Sequence, residues 1–190
     1  MHEIYTGKGD DIQMDTKEEL RLAQKAIKGN PDAYGLLITK YQTYLYKMAF
    51  LYMKSEDDAL DVVGTTILKA YQNIHKLKNP EWFKTWITKI LIRTALDELK
   101  KVVHFQNLEK ISAAETHTGI SLEEKCDLDS AINKLPEKYR TVIILKYFSE
   151  LSVKEIAFVM NIPEGSVKAY LNRARYELKI MLKEDYIYAV

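Results

Sequence analysis

The sequence has almost no cysteine and no grouped histidines. Cys126 is the only cysteine among 190 residues, which excludes an intramolecular disulfide and a metal site built from several thiolates. The four histidines lack the close spacing that brings two imidazoles onto one metal ion; they are His2, His75, His104 and His117. We therefore expect no metal, and no pattern in the sequence indicates another cofactor.

The sequence also has no long apolar run. No stretch approaches the roughly 20 apolar residues that cross a bilayer. The first residues, MHEIYTGKGDD, lack the basic segment followed by an apolar run that is typical of a secretory signal. We expect a protein that does not insert into a membrane and that works in the cytoplasm.

Motifs of known enzyme classes are absent as well. The sequence has no glycine-rich phosphate loop, no nucleophile motif and no convergent set of histidine, aspartate and glutamate. Paired acids such as Asp57 and Asp58 stand at a predicted helix start, and Asp10 and Asp11 stand in the N-terminal tail. We expect a protein that is not an enzyme and has no small-molecule substrate.

A strong excess of one charge is missing overall but present locally. The net charge is +1, so the chain as a whole is not a general polyanion binder. Basic minus acidic residues give −3 for residues 1–68, +5 for 69–110, −3 for 111–136 and +2 for 137–190. Two basic segments separated by an acidic one indicate two nucleic-acid surfaces. Ordinary solvated surface charge is the alternative interpretation.

Helix signals recur along nearly the whole sequence, whereas alternating strand patterns are absent. A hydroxyl followed three residues later by a carboxylate is typical of a helix start, and it occurs at 16–19, 55–58, 121–124 and 152–155. The predicted helices are 16–28, 31–54, 56–75, 80–101, 122–134, 136–148, 152–160 and 164–183.

These helices predict an all-α fold of two small helical domains joined by a flexible linker, the second containing a helix-turn-helix. Residues 102–121 are polar and their apolar residues keep no period, which is typical of a linker. The predicted division is an N-terminal tail at 1–15, a first domain at 16–101, the linker at 102–121 and a second domain at 122–190.

The helix-turn-helix is predicted from residues 152–178. A short helix, VKEIAFVM, is followed by Asn161, a residue type that tolerates a positive φ, and by Ile162, which is expected to anchor the turn in the core. One side of the next helix is a predicted buried stripe, formed by Val167, Leu171, Ala174 and Leu178. The opposite side carries small and polar residues, as a helix in a major groove requires. A helical hairpin without a DNA role is the alternative.

Residues 135–182 resemble the region of bacterial RNA polymerase sigma factors that reads the promoter −35 element. The resemblance rests on Leu-Pro at 135–136, Glu-Ile-Ala at 155–157, PEGSVK at 163–168 and Arg-Ala-Arg at 173–175. It is closest to the small extracytoplasmic-function class, although response-regulator output domains share much of it. The resemblance implies −35 contacts by Glu164, Gly165, Ser166, Lys168, Ala169, Asn172, Arg173 and Arg175.

Residues 23–101 resemble the remaining part of the same class. AIKGNPDAYGLLITKYQTYLYKMA, at 26–49, is similar to the first helix pair, and WFKTWITKILIRTALDELKK, at 82–101, is similar to the helix that melts and reads the −10 element. Residues 75–82, HKLKNPEW, would be the loop that captures a flipped base. Strand opening needs cations for phosphates and flat groups for unstacked bases. The implied −10 contacts are Lys76, Lys78, Asn79, Trp82, Lys84, Lys89, Arg93, Lys100 and Lys101.

The aromatic residues of this segment allow a second interpretation. Phe83 and Trp86 are expected to be core residues because they follow the apolar period of the helix. Trp82, next to the helix start, fits either the core or a base contact. A solvated basic face is the alternative for Lys89, Arg93 and Lys100.

Residues 58–71, DALDVVGTTILKAY, resemble the helix that binds the polymerase clamp. The implied polymerase contacts are Asp58, Asp61, Val62, Thr65 and Leu68. The family usually has a carboxylate, an amide and a carboxylate where this chain has Leu60, Gly64 and Thr65, so polar contacts to the polymerase have been lost. Arg93 is a smaller departure, because the family commonly has asparagine there.

The resemblance therefore implies a sigma factor that binds core RNA polymerase and promoter DNA, with −35 and −10 recognition on separate domains. It also implies an anti-sigma protein as a partner, which in this family is often membrane-tethered. The first alternative is a stand-alone helix-turn-helix regulator that no longer binds polymerase, and Gly64 and Thr65 are its best support. A helical scaffold without a nucleic-acid role is the second alternative.

Overall fold

The computed structural model describes the backbone at 15–112 and 128–187 and the side chains at 15–101 and 128–182. Every regular element in these ranges is helical, which confirms the predicted all-α class. Two compact units, Met1–Leu99 and Lys100–Val190, are described in turn. Within the described part of the chain, no helix combines the length and the apolar composition needed to cross a membrane.

The first unit contains three helices and the first part of a fourth, which continues past Leu99. They are α1 (Thr16–Ile27), α2 (Pro31–Met53), α3 (Glu56–Asn73) and α4 (Phe83–Ser112), with short 3-10 turns at Ile74–Lys76 and Pro80–Trp82. Helix α2 packs against both α1 and α3. The largest fully buried side chains include Leu37 and Leu45 of α2, Val62 of α3, and Phe83 and Ile87 of α4. This packing leaves one side of α3 and one side of α4 exposed.

Polar side chains fix the starts of these helices. Asn30 Oδ1 accepts a hydrogen bond from the Ala33 amide at 2.8 Å, and Ser55 caps α3 through the Asp58 amide. The predicted cap at Thr16 is wrong, because Asp15 holds the cap position and makes no side-chain cap bond.

Glu19 has a different task from the predicted capping role. Its carboxylate accepts hydrogen bonds from the Tyr41 hydroxyl and the Lys40 ammonium of α2. Burial, together with the neighbouring Glu19 carboxylate, holds the pKa of Tyr41 well above its ordinary value. Glu19 therefore links α1 to α2 and does not cap the first turn of its own helix.

Helix α4 is longer than predicted. The expected end was residue 101, but the helix runs through Ser112, so the prediction of a linker is wrong for 102–112. Residues 102–112 contain neither proline nor glycine, and a helix satisfies its backbone hydrogen bonds internally. Loss of the apolar period therefore did not mark the end of the helix. Residues 113–121 lie outside the described residues.

The second unit contains four further helices. They are α5 (Leu128–Lys134), α6 (Glu137–Ile143), α7 (Val153–Met160) and α8 (Glu164–Ile187), and a π-helical segment at Ile144–Phe148 continues α6. Helix α8 packs against α5, α6 and α7. The predicted beginning of α5 at residue 122 and the predicted cap at 121–124 lie outside the described residues, as do tail residues 1–14.

The start and the end of α7 are fixed as predicted. Ser152 Oγ accepts from the Glu155 amide at 3.3 Å, and the Glu155 carboxylate accepts from the Ser152 amide at 2.9 Å. This reciprocal capping box satisfies two amides that the helix cannot satisfy internally. At the other end Asn161 has φ 57° and ψ 47°, the left-handed conformation that asparagine tolerates better than most residues. The predicted helix-turn-helix is confirmed.

The two glycines of the first unit at positions 29 and 64 differ in conformation, which gives a paired prediction. Gly64 lies inside α3, where an added Cβ meets no atom within 4 Å. Gly64→Ala should therefore raise the free energy of unfolding by about 0.5–1 kcal/mol. Gly29 has φ 91°, so Gly29→Ala should lower it.

Urea unfolding followed by tryptophan fluorescence checks this pair. Trp82 and Trp86 are the only tryptophans and both lie in the first unit, so their emission reports that unit. If both substitutions lowered the free energy of unfolding equally, an alanine side chain at position 64 would be unfavourable and the prediction for Gly64 would be wrong.

Candidate nucleic-acid interface

Helix α8 buries one side and exposes the other. The predicted inner stripe is confirmed, because Val167, Leu171, Ala174 and Leu178 are all buried. Ile156 of α7 is buried as well, and Ile162 in the turn is half-buried. The turn and the inner stripe together hold the exposed side of α8 outward.

The exposed side of α8 collects the residues expected to contact −35 DNA. Gly165 and Ala169 add almost no side-chain bulk at its centre, which allows close approach of a partner backbone or base edge. Ser166 is half-buried on one flank, and the other predicted residues are exposed: Glu164, Gly165, Lys168, Ala169, Asn172, Arg173 and Arg175. Tyr176, which is 63% exposed, extends this side by one turn. The structure thus brings all eight predicted residues to one end of one helix.

Arg175 is held along its own helix. Its Nε donates to the Leu171 carbonyl at 3.1 Å, and one terminal nitrogen donates to Asn172 Oδ1 at 2.9 Å. These bonds hold the guanidinium along the helix, beside the Asn172 side chain. Arg175 is therefore better placed to orient Asn172 than to reach DNA itself.

The first unit presents a basic surface around an open cavity of about 370 Å³. Lys76 and Arg93, both predicted −10 residues, line this cavity together with Trp86. The complete lining is Lys69, Asn73, Lys76, Trp86, Ile90, Arg93, Thr94 and Asp97. A cavity with an indole on its wall and several cations around it suits an unstacked base and its phosphate.

The two predicted core aromatics of α4 behave differently. Phe83 is fully buried, as predicted. Trp86 is half-buried, with its ring centroid 6.2 Å from that of Phe83, and its open side faces the cavity. The prediction that Trp86 is a core residue is therefore wrong for that open side. Trp82 is also half-buried.

Sequence reasoning missed Lys69 and Asn73 because both lie on the predicted helix 56–75, most of which was attributed to polymerase binding. Lys69 Nζ donates to Thr94 Oγ1 at 3.1 Å, and Lys76 Nζ donates to Asn73 Oδ1 at 2.6 Å. The net charge of +5 over residues 69–110 was the sequence signal from which Lys69 could have been assigned to the basic surface.

Most of the remaining basic residues of α4 share the side of Trp86. At 100° per residue, Lys89, Arg93 and Lys100 lie within about 60° of Trp86. Partial burial, and then the positive charge of Arg93, lower the pKa of Lys89. A phosphate at this position would offset both effects, because its negative charge favours the protonated ammonium.

Four other predicted −10 residues have different placements. Lys84 lies on the far side of α4, where its ammonium is 5.1 Å from the centroid of the Tyr44 ring, so the structure does not bring it together with Arg93. Asn79 Oδ1 accepts from the Glu81 amide at 3.1 Å, which makes it a helix cap as well as a candidate contact. Lys78 and Lys101 are exposed.

Helix α3 exposes a mixed acidic and apolar side. Asp58, Asp61 and Leu68 are exposed and Thr65 is half-buried, as a partner surface requires. Val62 is 1% exposed, so the prediction that it contacts polymerase is wrong: it lies on the inner side of α3 with Ala59, Val63, Thr66 and Ala70. The outer side instead carries an apolar stripe, defined here as Leu60, Gly64 and Leu68.

Comparisons with known proteins match both units. The family model described as "Sigma-70 region 2" matches residues 37–103, and "Sigma-70, region 4" matches residues 127–178. The RNA polymerase sigma factor SigV of Bacillus subtilis is 39% identical over 155 residues, which cover 78% of this chain and 90% of that protein. The ECF RNA polymerase sigma factor SigW of the same organism is 28% identical over 173 residues, covering 83% and 92%.

Two solved structures share the fold. CnrH, in complex with the cytosolic domain of CnrY, has a TM-score of 0.67 at 24% identity, covering 90% of this chain and 99% of that one. The sigma factor RpoE of Bartonella quintana, in complex with the anti-sigma factor NepR, has a TM-score of 0.64 at 22% identity, covering 79% and 96%.

The exposed side of α8 yields a prediction that separates phosphate contacts from orienting contacts. The double substitution Lys168→Ala with Arg173→Ala should weaken DNA binding and lower the log–log salt slope by about 1.8, because each phosphate contact contributes about 0.9. Arg175→Ala should weaken binding while leaving the slope nearly unchanged. Fluorescence anisotropy over a range of KCl concentrations measures both quantities. An unaltered slope in the double variant would place the DNA surface elsewhere.

Proposed function

The chain belongs to the extracytoplasmic-function sigma factors of the sigma-70 family, and on this premise we propose how its surfaces divide the work of promoter recognition. The exposed side of α8 reads the −35 major groove, the α4 cavity holds an opened −10 base, and the outer side of α3 binds core RNA polymerase. The observation that carries the proposal is the presence of a separate basic surface in each unit, in the order of regions 2 and 4.

The proposed −35 contact follows from the shape and charge of α8. The small residues Gly165 and Ala169 let the helix enter the groove, and Asn172 presents a polar group to base edges. Lys168 and Arg173 stand on opposite flanks of the exposed side, where the two phosphate backbones border the groove. Backbone contacts set the register and Asn172 contributes sequence preference.

The proposed −10 contact uses binding energy instead of a chemical step. Opening a base pair costs a few kcal/mol, which can be offset when the released base stacks on an aromatic ring and its phosphate meets a cation. Trp86 supplies the ring at the cavity wall, and Lys76 and Arg93 supply charge beside it. The proposal therefore needs no catalytic residue, and the protein works as a binding subunit, not as an enzyme.

The proposed polymerase contact is more apolar than the family pattern. Leu60 and Leu68 are 39% and 57% exposed, and Gly64 between them adds no side chain. Asp58 and Asp61 stand beside this stripe as the remaining charged contacts. A partner with apolar side chains and basic neighbours would suit this surface.

Two further parts of the proposal concern location and regulation. We infer a cytoplasmic location, because the proposed partners are core polymerase and promoter DNA. An anti-sigma protein is the proposed negative regulator, and the solved complex of RpoE with the anti-sigma factor NepR supports this class of partner. The stand-alone regulator is not favoured, because the relatives and the region 2 match extend over the first unit as well.

Run-off transcription tests the proposed function directly. Core polymerase from the host should yield transcripts from a defined subset of a promoter library only when this protein is added. Core polymerase alone is the control. Absence of stimulation, with specific DNA binding retained, would instead identify a stand-alone DNA-binding protein.

The apolar stripe of α3 gives a second prediction. Gly64→Gln restores the amide that the family usually has, and an added side chain has open space there, so the affinity for core polymerase should rise. Gly64→Ala is the matched control, because it supplies the same gain in helix propensity without the amide. Affinity is measured by anisotropy of the labelled protein titrated with core polymerase. Equal affinities of the two variants would show that the amide makes no contact.

A further inference from the structure

Lys138 lies at the start of α6 in an aromatic setting that the sequence did not indicate. Its ammonium is 5.0 Å from the ring centroid of Tyr139 and 5.4 Å from that of Tyr170. The two rings meet edge to face, with centroids 5.7 Å apart and planes at 68°. Both rings are half-buried, whereas Lys138 is exposed. A flexible lysine side chain is thus held beside α8 by two ring faces.

Tyr170 shows on which side of α8 this ammonium stands. Tyr170 follows Ser166 by four residues and precedes Arg173 by three, so the three side chains are neighbours on one flank of the helix. Lys168 is on the opposite flank, about 140° from Arg173 around the helix axis. Lys138 therefore adds a positive charge to the Ser166 and Arg173 flank, from a different helix.

The aromatic setting leaves the charge of Lys138 available. Ring faces attract a cation without accepting its N–H groups as a carboxylate would. Among the described residues, no carboxylate lies within ion-pair distance of Lys138. An anion arriving at this flank would meet an ammonium that is already positioned, with hydrogen atoms to donate.

We propose that Lys138 binds a backbone phosphate of the −35 duplex, on the strand that borders the Ser166 and Arg173 flank of α8. This rests on the proposed function, because α8 must lie in the major groove for the phosphate to come within reach. The ligand class is a DNA phosphodiester, and Tyr139 and Tyr170 are positioning residues for the ammonium.

The test measures binding of the full-length protein to a short duplex with the −35 sequence obtained from the transcription experiment. Lys138→Ala should weaken binding roughly fivefold to tenfold at low salt and lower the log–log salt slope by about 0.9. Lys138→Arg should retain the slope. Lys47→Ala is the charge-matched control, because Lys47 is exposed on α2 in the first unit, and it should leave the slope unchanged.

Neutral methylphosphonates placed singly along the duplex locate the contact. One position should weaken binding of the natural protein and have no further effect on Lys138→Ala. The proposal would be overturned if the loss of affinity caused by each methylphosphonate simply added to the loss caused by Lys138→Ala at every position. An unchanged salt slope in Lys138→Ala would also overturn it. Tyr170→Leu should lower the slope partly and Tyr170→Phe should not, which separates the ring face from the hydroxyl.

Failure of this inference is distinguishable from failure of the proposed function. Only the inference would be wrong under three combined results. The natural protein would stimulate transcription, the Lys168 and Arg173 double variant would show a lower salt slope, and Lys138→Ala would show an unchanged slope. Loss of transcription without loss of DNA affinity in Lys138→Ala would also overturn it, and would assign the Lys138 surface to a protein partner. Circular dichroism confirms that each variant is folded.

Discussion

The burial of one side of α8 against α6 and α7 determines which of its residues can reach a partner. Val167, Leu171 and Ala174 are buried on that side, so the opposite side of the helix must face away from the core. The left-handed Asn161 ends α7 at the turn into α8, and the capping box at Ser152 fixes the start of α7. The orientation of the proposed DNA surface therefore follows from the packing of the opposite side of α8.

The same constraint organises the first unit. Helix α3 buries Val62 and its neighbours against α2, and this leaves Leu60, Gly64 and Leu68 outside. Helix α4 buries Phe83 and Ile87, and this turns Trp86 and Arg93 toward the cavity they share with residues of α3. The proposed polymerase surface and the proposed −10 DNA surface thus both depend on one small core, so a change in that core would disturb both.

Sequence periodicity predicted what depends on one helix at a time. The inner stripe of α8, the capping box at Ser152 and the positive φ of Asn161 are all local, and all were correct. Features that depend on two helices were not predictable in this way. The burial of Val62 depends on where α2 packs, and the cation over Tyr139 and Tyr170 requires α6 and α8 to meet across about thirty residues of sequence. The extension of α4 was missed because loss of the apolar period does not by itself end a helix.

The bond between Arg175 and Asn172 has a consequence for the proposed −35 contact. Asn172 Oδ1 accepts from Arg175, which uses one of the two lone pairs of this oxygen. The two-bond pairing with adenine would then need the second lone pair together with one N–H group, so it would be open to Asn172 only in an orientation that also keeps the bond to Arg175. Thymine O4, guanine O6 or a purine N7 would need only an N–H group of the amide. Arg175 would thus restrict the orientations in which Asn172 could pair with adenine more than those in which it could donate a single hydrogen bond.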